Sequence, residues 1–408
     1  MRRKALALSL VVVLLASIIS GCISGGETKT VTVTKTVGPE ETTTSPTETT
    51  QPTTSITNSP GETTPSTTRK ETQTMTSNPS TTTSTVRVED EDVISPDCKS
   101  DAWRNDYEEA IVCGVQRGFQ EPIFPEDFYI TTNDPYRVAL EFADFLGNNV
   151  HLDVQKENQS MIKGYYYDIQ TPLELRGNMK GTYADFAITG AYIFLEKGLD
   201  TYIVYAETEN GFGLWPAFRV KEQYYDRILL IYWPYIIPMT LGGAIELLDY
   251  AGEPVKKVKI YHLWLDDKKV KAKLIETTEP GPLTPEYMMP ATMDYFDNKG
   301  QVKLDLIEKL PKVIQEDNPN CKYVKSVDDI YYRNLKEYEV NVPLVLFLYS
   351  KPYHEQWMDI LAKSTYGYLK QQGFDAQKCR KFTILDVVPS AFVKGGMYIR
   401  IYAEMPNS

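Results

Sequence analysis

The chain has 408 residues, with 55 acidic against 43 basic side chains and a formal charge of −12 at pH 7. An acidic surface argues against nucleic-acid binding, which needs a basic footprint. The charge comes almost entirely from the part after the first ~90 residues, and that part is long enough for two domains of ordinary size.

The chain opens MRRKALALSLVVVLLASIISGCISGG. Arg2, Arg3 and Lys4 form a basic start, and Ala5 to Ser20 is an apolar run of 16 residues, shorter than the ~20 of a usual spanning helix. The run closes on Ile19-Ser20-Gly21-Cys22, and residues 1–21 resemble a lipoprotein signal peptide. In that pattern cleavage leaves Cys22 as the lipidated N-terminus. The alternative is an uncleaved anchor. Both attach the chain to the cytoplasmic membrane and place the remainder on its extracellular face, with the basic end inside.

Residues 22–87 read as a stalk. Between Glu27 and Thr85, 25 of 59 residues are Thr, with Ser and Pro and few aromatics. Such a composition buries too little apolar area to fold. We read it as an extended spacer, either O-glycosylated or unmodified. Beyond it lie two expected domains, 88–250 and 251–408, both of α+β class.

Four cysteines remain after Cys22: Cys98, Cys113, Cys321 and Cys379. An even count in an exported chain favours two disulfides, and sequence alone allows three pairings. Cys98 with Cys113 and Cys321 with Cys379 keeps each pair inside one expected domain. No close Cys-x-x-Cys spacing occurs and the three histidines are scattered, so neither a structural metal nor a cofactor is expected.

In chain order, DAWRNDYEEAIVCGVQRGF reads as a helix. NDPYRVALEFADFLGNN is a second, with Asp134 as N-cap, Pro135 as first helical residue, Val138, Phe142, Phe145 and Leu146 as its stripe, and Gly147 as its stop. YYYDIQTPLELRGNMKG reads as a connection, with NQS at Asn158 just before it as an N-glycosylation sequon in an outward-facing loop. GTYADFAITGAYIFLEKG then reads as an amphipathic helix ended by Gly198. DTYIVYAE, GLWPAFRV and RILLIYW follow as strands, the last buried on both faces. One helix on an antiparallel meander is an α+β arrangement.

After Tyr250, VKKVKIYHLWLDD is strand-like and GPLTPEYMMP is a proline-rich loop. KLDLIEKLPKVIQ is a short helix broken at Pro311, and NVPLVLFLYS a buried strand. YHEQWMDILAKSTYGYLKQQG is a helix with Trp357, Ile360, Leu361, Ser364 and Tyr368 on one face. KFTILDVV and MYIRIYAE finish the chain as strands.

Residues 171–234 resemble the archaeal transglutaminase-like family, related to papain-type thiol enzymes. The resemblance rests on TPLE, on GTYADFA at the Gly-x-Cys-x-Asp-aromatic-Ala turn, on the helix, and on the strand order after it. In that family a cysteine opens the helix, a histidine follows in the next strand, and an aspartate lies shortly before a proline. The chemistry is a thiolate activated by a helix N-terminus and an oriented base. Matched residue by residue, Tyr183 stands at the cysteine, Leu214 after Gly213 at the histidine, and Ile231 before Pro234 at the aspartate. None performs the role, and a slip by one residue to Thr182, Trp215 or Tyr232 supplies no base. The resemblance therefore implies a domain without its triad. Tyr183, Leu214, Trp215 and Ile231 are expected either to plug the old site or, with Tyr232, to line a groove for an extracellular peptide, glycan or envelope protein.

Other polar groups read more plainly. His354-Glu355 lacks the second histidine of a helical zinc motif and reads as a solvated helix start; His262 reads as a surface or edge strand residue. Asp297, Asn298 and Gly300 read as a turn, with calcium binding as the alternative. Asp266-Asp267 and Asp328-Asp329 read as solvated loop charge. Tyrosine is abundant, at 28 residues, with runs at Tyr165–Tyr167, Tyr224-Tyr225 and Tyr331-Tyr332. Three functions stay open: a binding protein, an enzyme whose site lies in the C-terminal domain or at the domain junction, and a structural surface protein.

Overall fold

The computed structural model describes residues 93–121, 130, 132–279, 291–330 and 334–406. The signal segment, Cys22, the stalk, the proline-rich loop at 281–290 and Tyr331-Tyr332 lie outside the described residues. Within Asp90–Ser408 the chain is one compact unit. No helix among the described residues is long and apolar enough to cross a membrane.

The first expected helix divides at Asp106. A 3-10 turn spans Asp101–Asn105, and Asp106 then caps helix α1, Tyr107–Gln120, its carboxylate accepting from the amides of Glu108 and Glu109. Helix α2, Pro135–Asn149, starts as the sequence reads: Asp134 accepts from Tyr136 and Arg137 amides and Pro135 follows. Gly147 does not stop it. A glycine inside a helix costs only about 1 kcal/mol, and the helix runs on to Asn149.

The expected connection contains two further helices. Helix α3, Val154–Lys163, is capped by Asp153. Helix α4, Pro172–Asn178, is opened by a reciprocal capping box of Thr171 and Glu174, and Arg104 grips Glu174 from outside. Asn158 thus stands on α3, half-buried, and not in an outward-facing loop.

Helix α5, Tyr183–Glu196, is the axis of the fold. Every residue from Ala184 to Leu195 is buried, so it is not amphipathic. It is buried around its whole circumference and mostly apolar, as expected of a helix enclosed on all sides. Helices α1, α2 and α4 pack on it, and strand β5 lies beneath. Gly190 permits that approach: a Cβ there would sit 2.5 Å from the Pro216 ring.

The sheet under α5 has seven strands in the order β1-β9-β8-β4-β5-β6-β7, all antiparallel. They are β1 Val93–Ile94, β4 Thr201–Thr208, β5 Phe212–Glu222, β6 Tyr225–Leu230, β7 Met239–Thr240, β8 Val255–Asp266 and β9 Lys269–Thr278. A parallel pair of two-residue strands, β2 (His151–Leu152) and β3 (Lys180–Gly181), stands apart. In the sheet Val204 is flanked by Trp215 and Ile260. Period-two alternation sends Leu214, Phe218, Val220, Leu229 and Ile231 to the α5 face, and Trp215, Ala217, Ile228 and Leu230 to the other.

The boundary expected at residue 250 falls inside this architecture. Strands β8 and β9 complete the first sheet and do not start a second domain. His262, on β8, is accordingly an interior-strand residue, paired with Tyr202 on one side and Lys273 on the other.

The opposite face of the sheet is covered by the remaining elements. Among them are helix α6, Leu241–Tyr250, and, after β8 and β9 in the chain, helix α7, Ala291–Asp317. Helix α7 is continuous through Asp297–Gly300 and Pro311, where a turn and a break are expected. Its buried row Val302, Leu306, Leu310 and Ile314 packs into the core, and tertiary burial of that row outweighs a local breaker. Helix α8, His354–Gln371, packs beside it, burying Trp357 and Leu361 as expected but adding Met358, Ala362, Thr365, Tyr366 and Leu369.

A second sheet, β10-β12-β13-β11, comprises Lys322–Tyr323, Lys381–Pro389, Met397–Glu404 and Leu335–Val342. The expected strand 341–350 ends at Val342, before Pro343, and continues as a buried 3-10 turn, Val345–Leu348. Both favoured disulfides are present, Cys98–Cys113 and Cys321–Cys379.

Candidate functional site

The start of α5 is built from three segments. Thr182 is its N-cap: its hydroxyl accepts from the Asp185 amide while Asp185 Oδ2 accepts from the Thr182 amide at 2.7 Å and hydroxyl at 2.9 Å. Asp185 also accepts from the Gln170 amide and side chain, and Lys156 approaches to 3.7 Å. From α3, Glu157 reaches in to accept from the Tyr183 amide at 3.1 Å and from the Tyr166 hydroxyl at 3.2 Å. The positively polarised helix end is therefore satisfied by the chain's own carboxylates.

Both acids are deeply placed, Asp185 at 0% and Glu157 at 2% exposure. Burial raises the Glu157 carboxyl to about 7, against the pull of the Tyr183 and Tyr166 bonds. Burial also raises Asp185, opposed chiefly by Lys156. The Tyr183 phenol is driven further above its ordinary range by burial, which removes it as a nucleophile at neutral pH.

Above the carboxylates lies an aromatic group. Tyr183 meets Trp215 at 6.4 Å and Tyr232 at 6.1 Å between ring centroids, and Trp215 stacks on Tyr232 at 5.4 Å. Tyr235 extends it from Tyr232. The Trp215 indole folds back along its own strand over Gly213, where a Cβ would lie 2.4 Å from the ring. Trp215 Nε1 and Tyr235 Oη are buried without a hydrogen-bond partner among the described residues. Tyr183 and Tyr232 remain partly exposed.

The structure places Tyr183, Leu214 and Ile231 at the same extended core. Leu214 and Ile231 are buried in the α5-facing core, and Tyr183 packs against that core from the helix start. Trp215 joins from the opposite face of β5. The histidines stand elsewhere: His151 is exposed on β2, His262 pairs with Asp200 at 3.1 Å, and His354 opens α8. A nucleophile with an oriented base is thus absent among the described residues of this site.

A second polar cluster was not legible in the sequence. His354 is not a freely solvated helix start: its Nε2 lies 2.7 Å from Asp305 Oδ2 on α7 and its Nδ1 3.2 Å from the buried Tyr349 hydroxyl. Glu157 and Tyr235 also carry no distinctive local signal, because each acquires its role from partners distant in the chain, whereas Asp185 stands in the GTYADFA turn and pairs with Thr182 three residues before it. Comparison with family models, curated protein sequences and solved structures returns no match.

Proposed function

We propose that this chain is a membrane-anchored extracellular lipoprotein whose folded region binds an extracellular peptide, glycan or envelope component through a transglutaminase-like domain that has lost its chemistry. The anchor is the lipid on Cys22 and the stalk carries the domain away from the membrane. The observation that carries the reading is the start of α5. Its amides are taken by Glu157 and Thr182, and Tyr183, Trp215 and Tyr232 occupy the ground above it. Partly exposed rings of this kind suit a sugar face or a proline or aromatic side chain. Glu157, although strongly perturbed, is too deeply buried to meet a substrate.

The test is a mass-spectrometric screen of the purified chain and Tyr183→Phe against a mixed peptide and amine-donor library, beside glycan and peptide arrays. The expected result is no turnover in either protein, and array binding that Tyr232→Ala weakens by about tenfold. Turnover lost in Tyr183→Phe overturns the reading by making Tyr183 reactive. Turnover kept in that variant overturns it by moving catalysis elsewhere, and absence of array binding favours a structural surface protein.

A further inference from the structure

We propose that Asp305, His354 and Glu355 form a binding site for one divalent transition-metal cation of the zinc type, held between helices α7 and α8. One ligand atom from each of the three lies within 4.8 Å of the others. Asp305 comes from the middle of α7 and the other two from the first turn of α8. Asp305 and His354 are mostly buried, with 17% of each side chain exposed, whereas Glu355 is 70% exposed. The arrangement therefore has two fixed donors, one mobile donor and an open side toward solvent.

Both fixed donors are held from behind. The Tyr349 hydroxyl, buried under the cluster, engages His354 Nδ1 and leaves Nε2 facing Asp305. Gln301 donates to the other Asp305 oxygen at 2.8 Å. Hydrogen bonding at the far nitrogen of an imidazole and the far oxygen of a carboxylate is how outer groups orient metal ligands. Donors around a tetrahedral zinc stand about 3.3 Å apart. The 2.7 Å pair thus has to open by only about half an ångström to admit the ion.

Charge points the same way. Beside the cluster the ammonium of Lys309 contacts Glu355 at 3.0 Å and Asp359 at 2.6 Å. Counting these groups, the carboxylates of Asp305, Glu355 and Asp359 exceed that ammonium by two negative charges, the charge one divalent cation carries. On binding, Glu355 turns from Lys309 to the ion, and Lys309 keeps Asp359. The pair given up has its carboxylate in solvent and holds Glu355 weakly. The imidazole donor selects zinc-like ions over calcium and magnesium, which prefer oxygen. Among the described residues His262, paired with Asp200, belongs to no comparable set.

The test is a calorimetric titration of the purified full chain with zinc chloride, in parallel with His354→Gln, Asp305→Asn, Glu355→Gln and His262→Gln. The expected result is one equivalent bound, with affinity lowered at least about tenfold by each of the first three substitutions and unchanged by the fourth. Millimolar calcium or magnesium should not compete. Glu355 is exposed, so its variant decides the question even where a buried substitution disturbs folding. No saturable binding, or binding that Glu355→Gln and His354→Gln both leave unchanged, overturns the proposal.

Discussion

Helices α5 and α8 both begin among acidic side chains, and the two starts are completed in opposite ways. At α5, Glu157 and Asp185 are buried, and their oxygens take up amides at and beside the helix start. At α8, the N-cap is Tyr353, which makes no side-chain capping bond, and the acids Glu355 and Asp359 are largely exposed around Lys309. The first start spends its electrostatics on folding. The second holds its charged groups where an external partner can reach them. The two starts differ in whether their acids are used up inside the fold or left in reach of solvent.

The sharpest way to break this comparison is to remove the inner acid. Asp185→Ala removes one of the two carboxylates beside Lys156, which keeps Asp168, and leaves the amides of Gln170 and Thr182 without their acceptor in the interior. Breaking a buried charge arrangement of this kind typically removes about 3–5 kcal/mol. Denaturant unfolding of the purified chain should show a loss in that range. A loss below about 1 kcal/mol would mean that α5 does not depend on its internal carboxylate.

Acidity offers the next test. Glu157 has a folded-state value near 7 against an ordinary 4.5, so the folded protein binds that proton more tightly than the unfolded chain does. Its contribution to stability is complete below about 4.5 and is lost as the pH rises through about 7, amounting to about 3 kcal/mol. Unfolding free energies measured from pH 4.5 to 8 should fall over that window and then level. Glu157→Gln stays uncharged throughout and should lose most of the slope. Asp185 shifts in the same direction, so a smaller decline remains. An undiminished slope in the variant would place the titration elsewhere.

What the sequence revealed depended on the range of the interaction. The start of α2 was legible because Asp134, Pro135 and the stripe after them form a local code. The strands were legible from alternation, and the disulfides from sharing a stretch of chain. The enclosure of α5 was less so: its sequence reads as an amphipathic helix, and its full burial depends on α1, α2 and α4 arriving from elsewhere. Alternation identified β8 as a strand without identifying β4 as its neighbour, which is why residue 250 looked like a boundary. The continuity of α7 through Pro311 arises from a buried row that no local breaker rule weighs. At the candidate sites the split is the same. That Tyr183, Leu214 and Ile231 offer no neutral-pH nucleophile or base could be read directly, whereas Asp305 and His354, 49 positions apart, have no signature until two helices meet.

The smallest expected effect bears most directly on the contrast. Glu355→Gln alters a side chain that is 70% exposed and whose partner Lys309 keeps Asp359 at 2.6 Å. Exposed pairs contribute at most about 1 kcal/mol, so the variant should unfold within that margin of the unaltered chain when no metal is present. The same denaturation series that reads Asp185→Ala checks it. A near-zero change means the start of α8 can alter what it binds without altering how the protein folds, the freedom that α5 lacks. A loss comparable to that of Asp185→Ala would make Glu355 a structural acid like Glu157, and the difference between the two helix starts would then be one of exposure alone.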